Sequence, residues 1–184
     1  MRKTVFAGLV VAISVIGFGA ATEAATIFEL RPFVGAFIPT GDQQDILNDA
    51  VFFGGQGGVE VGKSLHVIGT VGYVPRENSN GVALYQYDAG VETFRPFRMT
   101  ERWELHPFLG IGMGGRTYVD GANGDHAETL FTGYGALGTE FQIDRLAFRV
   151  EARDYLSRFK GLDGSAGSET RNDVSIVSGV AIHW

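Results

Sequence analysis

The sequence predicts an all-β fold, an eight-stranded antiparallel up-and-down transmembrane β-barrel. Three observations predict it: an N-terminal signal peptide, eight stretches that alternate between apolar and small or polar residues, and a last alternating stretch that ends on Trp184. A period of two is typical of a half-buried strand. An aromatic residue at the end of such a strand suits a membrane–water interface, whereas a soluble protein has little reason to expose one there.

The first 24 residues are interpreted as a secretory signal peptide. Met1-Arg2-Lys3 is positively charged, Val5–Ala20 is almost entirely apolar, and Thr22-Glu23-Ala24 offers small residues for cleavage after Ala24. The apolar run is short for a spanning helix, and an N-terminal membrane anchor is the alternative. The predicted division is a cleaved signal peptide at residues 1–24 and one barrel domain at residues 25–184.

The composition narrows the class of protein further. The chain has 27 glycines and 14 phenylalanines, and its lysines are confined to Lys3, Lys63 and Lys160, a thin charged coat for a soluble domain. The formal net charge of −6 becomes −7 when the signal peptide removes two positive charges and one negative charge, which argues against a nucleic-acid partner. The absence of cysteine excludes a lipoprotein anchor and disulfides, so the stability must come from the fold itself.

Eight segments of the mature chain alternate, and each is near or above the roughly 9–11 residues that a tilted strand needs to cross a bilayer. They are Ile27–Ile38, Val51–Val61, Leu65–Val74, Ala83–Phe94, Leu105–Tyr118, Glu128–Gln142, Arg145–Leu156 and Asp173–Trp184. The connections Gly62–Ser64 and Ile143–Asp144 are short, whereas Pro39–Ala50, Val119–Ala127 and Ser157–Asn172 are long. Short periplasmic turns and longer external loops produce this rhythm in outer-membrane barrels.

One connection, Arg95–Glu104, breaks the rhythm because it is of intermediate length on the side of the short turns. The even number of strands still places both ends of the mature chain on one side of the membrane. For a chain delivered from within the cell, that side is the periplasm. We therefore expect an outer-membrane location with both mature termini periplasmic.

Glycines occupy many of the slots between the large apolar side chains. In Leu105–Gly114 the large side chains oppose three alternate glycines, and in Leu130–Ala136 they oppose Gly133 and Gly135. A row of glycines makes a poor solvated exterior but fits the narrow interior of an eight-stranded barrel. We therefore expect these glycines to line the lumen, with a soluble ligand-binding barrel as the alternative. The glycines of Gly54–Gly58 are expected to bend the second strand.

Charged residues within the segments are also assigned to the lumen. In the seventh segment, Arg149, Glu151 and Arg153 share the face opposite the apolar side chains. An arginine facing lipid at the bilayer midplane costs about 2–4 kcal/mol, and buried charges need partners. We therefore predict a lumenal ion-pair network in which Arg149 and Arg153 pair with Glu151, Glu60 or Glu92; a gated proton or ion path is the alternative. The other polar residues assigned to inner slots are Gln56, Gln86, Asp88 and Arg116.

Three short stretches carry a family resemblance: Leu30–Gly35, His106–Gly112 and Arg149–Tyr155, which read LRPFVG, HPFLGIG and RVEARDY. They resemble strand signatures of small outer-membrane β-barrel proteins, and the chain is similar to the transmembrane domain of outer membrane protein A. The resemblance implies a charged lumenal cluster that separates the two ends of the barrel. It also implies a C-terminal assembly signal, read by the barrel-assembly machinery, at Ile176, Val180, Ile182 and Trp184, with Ser178 as its one soft position.

The expected function follows from this resemblance. We expect a monomeric, porin-like barrel in the cell envelope of a Gram-negative-type cell, with a structural or surface-interaction role and a lumen filled by side chains. Its partners would be outer-membrane lipid, lipopolysaccharide and the barrel-assembly machinery. One alternative is a narrow channel for ions or small solutes. The other is a barrel enzyme that modifies lipid A.

The residues of such an enzyme are not evident, so we expect no enzymatic activity. Deacylation needs a serine activated by a histidine, and in the barrel deacylases the two lie close together on a late strand. The comparable stretch here, Ala152–Ser157, contains no histidine, and the four histidines are scattered over the chain at His66, His106, His126 and His183. Neither a metal-binding motif nor a phosphate-binding loop is recognised, so no metal and no cofactor are expected.

Overall fold

The computed structural model describes residues 27–40, 49–61, 64–76, 81–120, 126–159 and 169–183. The predicted signal peptide and Trp184 lie outside these residues. The described strands are β1 (Phe28–Pro39), β2 (Ala50–Glu60), β3 (Leu65–Val74), β4 (Val82–Phe94), β5 (Phe97–Arg98), β6 (Trp103–Asp120), β7 (His126–Ile143), β8 (Leu146–Phe159) and β9 (Glu169–His183). Within the described part of the chain, no helix is long and apolar enough to cross a bilayer.

The eight long strands form one closed antiparallel sheet. Each pairs with the next along the chain, β4 pairs with β6, and β1 closes the sheet by pairing with β9. The predicted eight-stranded up-and-down barrel is therefore confirmed. Paired residues followed once around the sheet from Glu29 return to β1 at Pro39, a stagger of ten residues. Eight staggered strands enclose an interior just wide enough to be filled by side chains.

We call the end at which β1 begins and β9 ends the lower end of the barrel, and the other the upper end. At the lower end, β7 and β8 are joined by a two-residue turn in which Asp144 has a φ of 54°, a left-handed conformation that aspartate tolerates. The connection Arg95–Glu104 contains β5, which folds back onto β6 through Phe97↔Leu105 and Arg98↔Glu104. This small hairpin explains why the connection is longer than the other lower turns.

Several strands extend further toward the upper end than predicted. The ladder between β6 and β7 continues to the pair Asp120↔His126, so the connection shrinks from the expected Val119–Ala127 to residues 121–125. Likewise β9 begins at Glu169 rather than at Asp173. Backbone hydrogen bonds sustain an antiparallel ladder whether or not its side chains alternate in polarity. The alternation of apolar and polar residues in the sequence therefore indicates the apolar part of each strand, whereas it does not indicate where the strand ends.

The outer surface of the barrel is a belt of apolar side chains. On β6, for example, Leu109, Ile111 and Met113 are 60–67% exposed, whereas the alternate positions Gly110, Gly112 and Gly114 face inward as predicted. Other outward-facing members of the belt are Leu30, Val34, Val51, Val71, Val91, Phe131, Leu137, Phe148, Ile176 and Val180. The barrel is thus apolar outside and polar in much of its interior, the reverse of a soluble domain.

The prediction that Gly133 and Gly135 line the lumen is wrong. On β7 these glycines lie on the outer face, and Leu130, Tyr134 and Ala136 are buried inside. The register explains the difference, because Gly90 of β4 and Gly112 of β6 are the successive partners across the sheet from Tyr134. A Cβ atom at either glycine would run into the Tyr134 ring, so two inward glycines make the room that this tyrosine fills.

This packing leads to a first prediction, which concerns two glycines on opposite faces. Gly112→Ala is expected to lower the free energy of unfolding by about 1–3 kcal/mol, because the new methyl group overpacks the Tyr134 ring and the backbone carbonyl of Ala89. Gly135→Ala is the matched control, since a Cβ there meets nothing within 4 Å. Urea unfolding in lipid vesicles measures both, and equal stabilities of the two variants would contradict the packing described.

Candidate functional site

The lumen of the barrel is crossed by a network of charged side chains. Alternation along β8 turns Arg149, Glu151 and Arg153 inward, where their side chains are only 1–3% exposed. From β4, Asp88 and Glu92 face them across the lumen and are equally buried. The strands of a closed barrel hold these five residues at fixed heights, so their contacts are set by the stagger of the sheet.

The centre of the network is a chain of alternating charges. Arg149 donates hydrogen bonds to Glu151 Oε2 from Nε at 3.0 Å and from Nη2 at 2.9 Å, and it also contacts Glu92. Arg153 contacts the other carboxylate oxygen of Glu151 through Nε and lies 2.9 Å from Asp88 Oδ1 through Nη1. Glu151 therefore holds two guanidinium groups, and each of these reaches a second carboxylate on β4.

Toward the upper end, the network continues through Gln86 to a second arginine–aspartate pair. Gln86 Nε2 donates to Asp88 Oδ2 at 2.7 Å, and Gln86 Oε1 accepts from Arg116 Nη2 at 3.1 Å. Arg116 Nη1 lies 2.6 Å from Asp173 Oδ2, and both side chains are fully buried. The Arg116 guanidinium also stacks 3.8 Å from the centre of the Tyr155 ring. This pair links β6 to β9, which are three strands apart around the barrel.

Toward the lower end, Arg31 extends the network to β1, β2 and β7. Its guanidinium contacts Gln56 and Glu29, and it lies 3.6 Å from Glu140 Oε2. Gln56 Nε2 in turn donates to Glu151 Oε2 at 3.3 Å, which joins Arg31 to the centre of the network. The described interior is thus connected by polar contacts from near its lower mouth to the Arg116–Asp173 pair.

Beside the upper part of the network, the lumen holds a cluster of buried apolar and aromatic side chains, which we call the aromatic plug; the Arg116 guanidinium lies 5.1 Å from the centre of the Phe37 ring. Its largest members, Phe37, Phe52, Leu84 and Tyr118, are at most 2% exposed. The other members are Phe33, Ala50, Val74, Val82, Leu130 and Val177. The plug and the Arg116–Asp173 pair therefore fill the upper part of the lumen together.

Near the lower end, little free space remains around the network. A void of about 10 Å³ lies beside Glu92, Phe94, Phe108 and Arg149, which is roughly the room that one water molecule needs. The Arg149 guanidinium is packed 3.4 Å from the centre of the Phe108 ring. Side chains therefore leave little free space around Arg149 in the described part of the lumen.

Four of the five residues predicted for the network lie together in it: Glu92, Arg149, Glu151 and Arg153. Glu60 lies elsewhere, at the lower end of β2, where its side chain is 22% exposed and 3.8 Å from His66. The register pairs Glu60 with His66 in the ladder between β2 and β3, which explains its position at the mouth rather than at the centre.

Several members of the network were not selected from the sequence as site residues. They are Glu29, Arg31, Gln56, Gln86, Asp88, Arg116, Glu140, Tyr155 and Asp173. Alternation along each strand could have identified them, because alternate residues share a face and each of these residues shares its face with a buried apolar residue or a glycine. The same alternation predicts inner positions for Gln56, Gln86, Asp88 and Arg116, and all four are at most 8% exposed.

The predicted assembly-signal residues lie on the outer face of β9. Ile176, Val180 and Ile182 are 46–49% exposed, and Ser178 lies on the same face. Trp184, the last member of the predicted signal, lies outside the described residues.

Comparison with known proteins identifies the class of fold to which this barrel belongs. No protein-family profile matches the chain, and no curated protein sequence does. Solved structures do match, and among them are small outer-membrane barrels with eight strands. The chain therefore has the fold of a small outer-membrane β-barrel, as the sequence resemblance implied.

Three of the matching structures illustrate the similarity. The N-terminal β-barrel domain of Pseudomonas aeruginosa OprF has a TM-score of 0.59 and 12% identity, covering 86% of this chain and 97% of that one. Neisserial surface protein A has a TM-score of 0.58 and 9% identity, covering 84% and 96%. The attachment invasion locus protein Ail of Yersinia pestis has a TM-score of 0.50 and 13% identity, covering 86% and 98%. At these identities, the similarity establishes the fold.

Proposed function

We propose that this chain is an integral outer-membrane β-barrel protein with a structural or surface-interaction role and a lumen that conducts no solute. The observation that carries the proposal is the filled lumen, which holds a buried ion-pair network and, beside its upper part, the aromatic plug. Eight strands leave little free interior, and these side chains occupy most of it. A role that depends on the outside of the barrel and on its connecting loops is therefore favoured over transport.

The outer surface supports a membrane location. On β6, the outward-facing side chains from Trp103 to Met113 are mostly large and apolar, and this stretch of 11 residues matches the length of a tilted spanning strand. Aromatic side chains lie toward both ends of the belt, with Phe97 and Trp103 at the lower end and Tyr73 and Tyr85 at the upper end. Aromatic girdles of this kind flank the apolar band of membrane barrels.

The lengths of the connections support an orientation with the lower end in the periplasm. The lower turns between β2 and β3 and between β7 and β8 are the shortest connections of the long strands, and 40–49 and 160–168 at the upper end are the longest, although the lower connection 95–102 exceeds the upper connection 121–125. Longer loops face the outside in barrels of this kind, and loops carry binding specificity. Both ends of the mature chain would then be periplasmic, and lipopolysaccharide would surround the upper part of the belt.

Assembly and composition complete the proposal. The exposed apolar row of Ile176, Val180 and Ile182 supports a C-terminal signal for the barrel-assembly machinery, with Trp184 as its last residue. We propose a monomer without enzymatic activity. In its support, His66, His106 and His183 all lie beside carboxylates, and none of the three hydrogen-bonds to a described serine.

Electrical recording in planar lipid bilayers tests whether the lumen conducts. The protein, purified from membranes in detergent, is expected to insert without producing discrete conductance steps, because the ion-pair network and the plug block the lumen. Insertion is verified by heat-modifiable electrophoretic mobility and by protease protection of the same sample. Reproducible unitary steps from verified, folded protein would contradict the proposal and favour the narrow channel.

A further inference from the structure

Three potential metal ligands converge inside the lower mouth of the barrel. Glu29 of β1, Glu140 of β7 and His183 of β9 each offer a ligand atom, and these atoms lie within 4.8 Å of one another. Glu29 and His183 are partners in the ladder that closes the barrel. The cluster belongs to no motif, because its residues are widely separated in the sequence and only barrel closure brings them together.

The two carboxylates are buried and incompletely paired. The side chains of Glu29 and Glu140 are 3% and 4% exposed, and Oε2 of each accepts no hydrogen bond. His183 Nε2 also forms none, although it lies 3.3 Å from Glu140 Oε1 and 4.0 Å from Glu29 Oε2. Buried polar atoms without partners are costly. Glu29 Oε2 and His183 Nε2 are two such atoms 4.0 Å apart, and Glu140 Oε1 lies 3.3 Å from the same nitrogen, so a cation between the three side chains would satisfy them.

The buried charges of the lumen also favour a bound cation, because carboxylates outnumber guanidinium groups. Among the described residues, the buried interior holds six carboxylates, Glu29, Asp88, Glu92, Glu140, Glu151 and Asp173, but four guanidinium groups, Arg31, Arg116, Arg149 and Arg153. Two negative charges are therefore in excess, and one divalent cation offsets them. Arg31 contacts Oε1 of Glu29 and lies 3.6 Å from Oε2 of Glu140, and Arg149 lies 4.0 Å from the same Oε2. Glu29 Oε2 and His183 Nε2 are the ligand atoms of the cluster that no described arginine contacts.

We propose that Glu29, Glu140 and His183 form a binding site for one Zn²⁺ ion at the lower mouth. An imidazole nitrogen and two carboxylate oxygens are ligands that zinc takes, and three protein ligands leave a position for water. A bound ion would tie the first strand to the last and to β7, across the ladder that closes the barrel. Because it binds the folded state, it would raise the stability of the barrel.

Zinc binding to the purified barrel in detergent, stripped of metal with a chelator, tests the site. Isothermal titration with Zn²⁺ is expected to show one ion per chain, and the thermal unfolding midpoint is expected to rise with added Zn²⁺. His183→Ala removes one ligand, so at least a tenfold loss of affinity and the loss of the thermal shift are expected. His66→Ala is the matched control, because His66 of β3 lies beside Glu60 and its ladder partners are Glu60 and Glu92, which do not belong to the cluster, so binding should be retained.

The folded state of each variant is verified by heat-modifiable mobility before titration. Glu140→Gln provides a second test, since it keeps the size of the side chain but removes its charge, and it should weaken binding as His183→Ala does. The proposal is overturned if the wild-type barrel binds no Zn²⁺. It is equally overturned if His183→Ala binds Zn²⁺ as tightly as wild type, or if Mn²⁺ or Ca²⁺ binds and Zn²⁺ does not.

Discussion

Arg153→Met is expected to lower the free energy of unfolding by about 3–5 kcal/mol, because it leaves two buried carboxylates without one of their partners. Arg153 is 2% exposed, contacts Glu151 through Nε, and lies 2.9 Å from Asp88 through Nη1. The same nitrogen also donates to Thr70 at 3.1 Å. Methionine fills much of the same space but provides no positive charge. The loss of stability therefore measures the contribution of the positive charge and its hydrogen bonds more than the contribution of side-chain packing.

Arg98→Met is the matched control for this substitution. Arg98 also contacts a carboxylate, Glu104 at 3.6 Å, but its side chain is 77% exposed. An exposed ion pair contributes about 0–1 kcal/mol, so this variant should be nearly as stable as wild type. Urea titration of both variants folded in lipid vesicles measures the difference. Similar losses at Arg98 and Arg153 would show that the lumenal network does not stabilise the barrel.

A double variant separates the two carboxylates that Arg153 holds. Adding Asp88→Asn to Arg153→Met removes one of the stranded charges, so part of the lost stability should return. Gln86 Nε2 still has an amide oxygen at position 88 to which it can donate. The single variant Asp88→Asn is measured as well. If its loss of stability and that of Arg153→Met simply add in the double variant, then Asp88 and Arg153 are not energetically coupled.

The parity of the strands was sufficient to place most lumenal charges, but their partners could not be predicted in the same way. Alternation within β8 assigns Arg149, Glu151 and Arg153 to one face from local sequence alone. Which residue lies opposite depends on the ten-residue stagger of the closed sheet, and this is a property of all eight strands together. Glu60 illustrates the limit, because its face was inferred from parity, whereas its position beside His66 follows from the register.

The two faces of β7 show a second limit. Its sequence alternates between large side chains and glycines, and this pattern distinguishes two faces without saying which one is inside. Gly112 on the neighbouring strand decides the matter, because the space above it is filled by Tyr134. Here the interior is defined by complementarity between strands, a glycine opposite an aromatic ring, and a single segment does not contain that information.

The proposed metal site could not be predicted by either kind of reasoning. Parity places Glu29, Glu140 and His183 inside the barrel but does not select them among the other inward polar residues. Their convergence requires the closing ladder between β1 and β9 and the height of β7 two strands away. Metal motifs that are recognised in sequences rely on short spacings within one element, and this cluster has none.

The apolar belt makes the second prediction of large effect. Leu109→Arg is expected to lower the free energy of unfolding in lipid vesicles by about 2–4 kcal/mol, the cost of arginine facing lipid near the bilayer midplane. Leu109 is 63% exposed and lies on β6 between Trp103 and Met113, well inside the apolar stretch. In water, the same substitution on an exposed strand residue would cost little, so the loss distinguishes lipid from solvent.

Val119→Arg is the control for Leu109→Arg. Val119 lies on the same strand and also faces outward, but it is near the upper end of the barrel. Arginine near the interface costs about 0–1 kcal/mol, so this variant should unfold almost as wild type does. The two variants add the same side chain and the same charge, and their depth in the belt is the intended difference. If Leu109→Arg were as stable as Val119→Arg, or if it folded in buffer without lipid or detergent, the outer face would be solvated. A transmembrane location would then be wrong for this barrel, whatever its fold resembles.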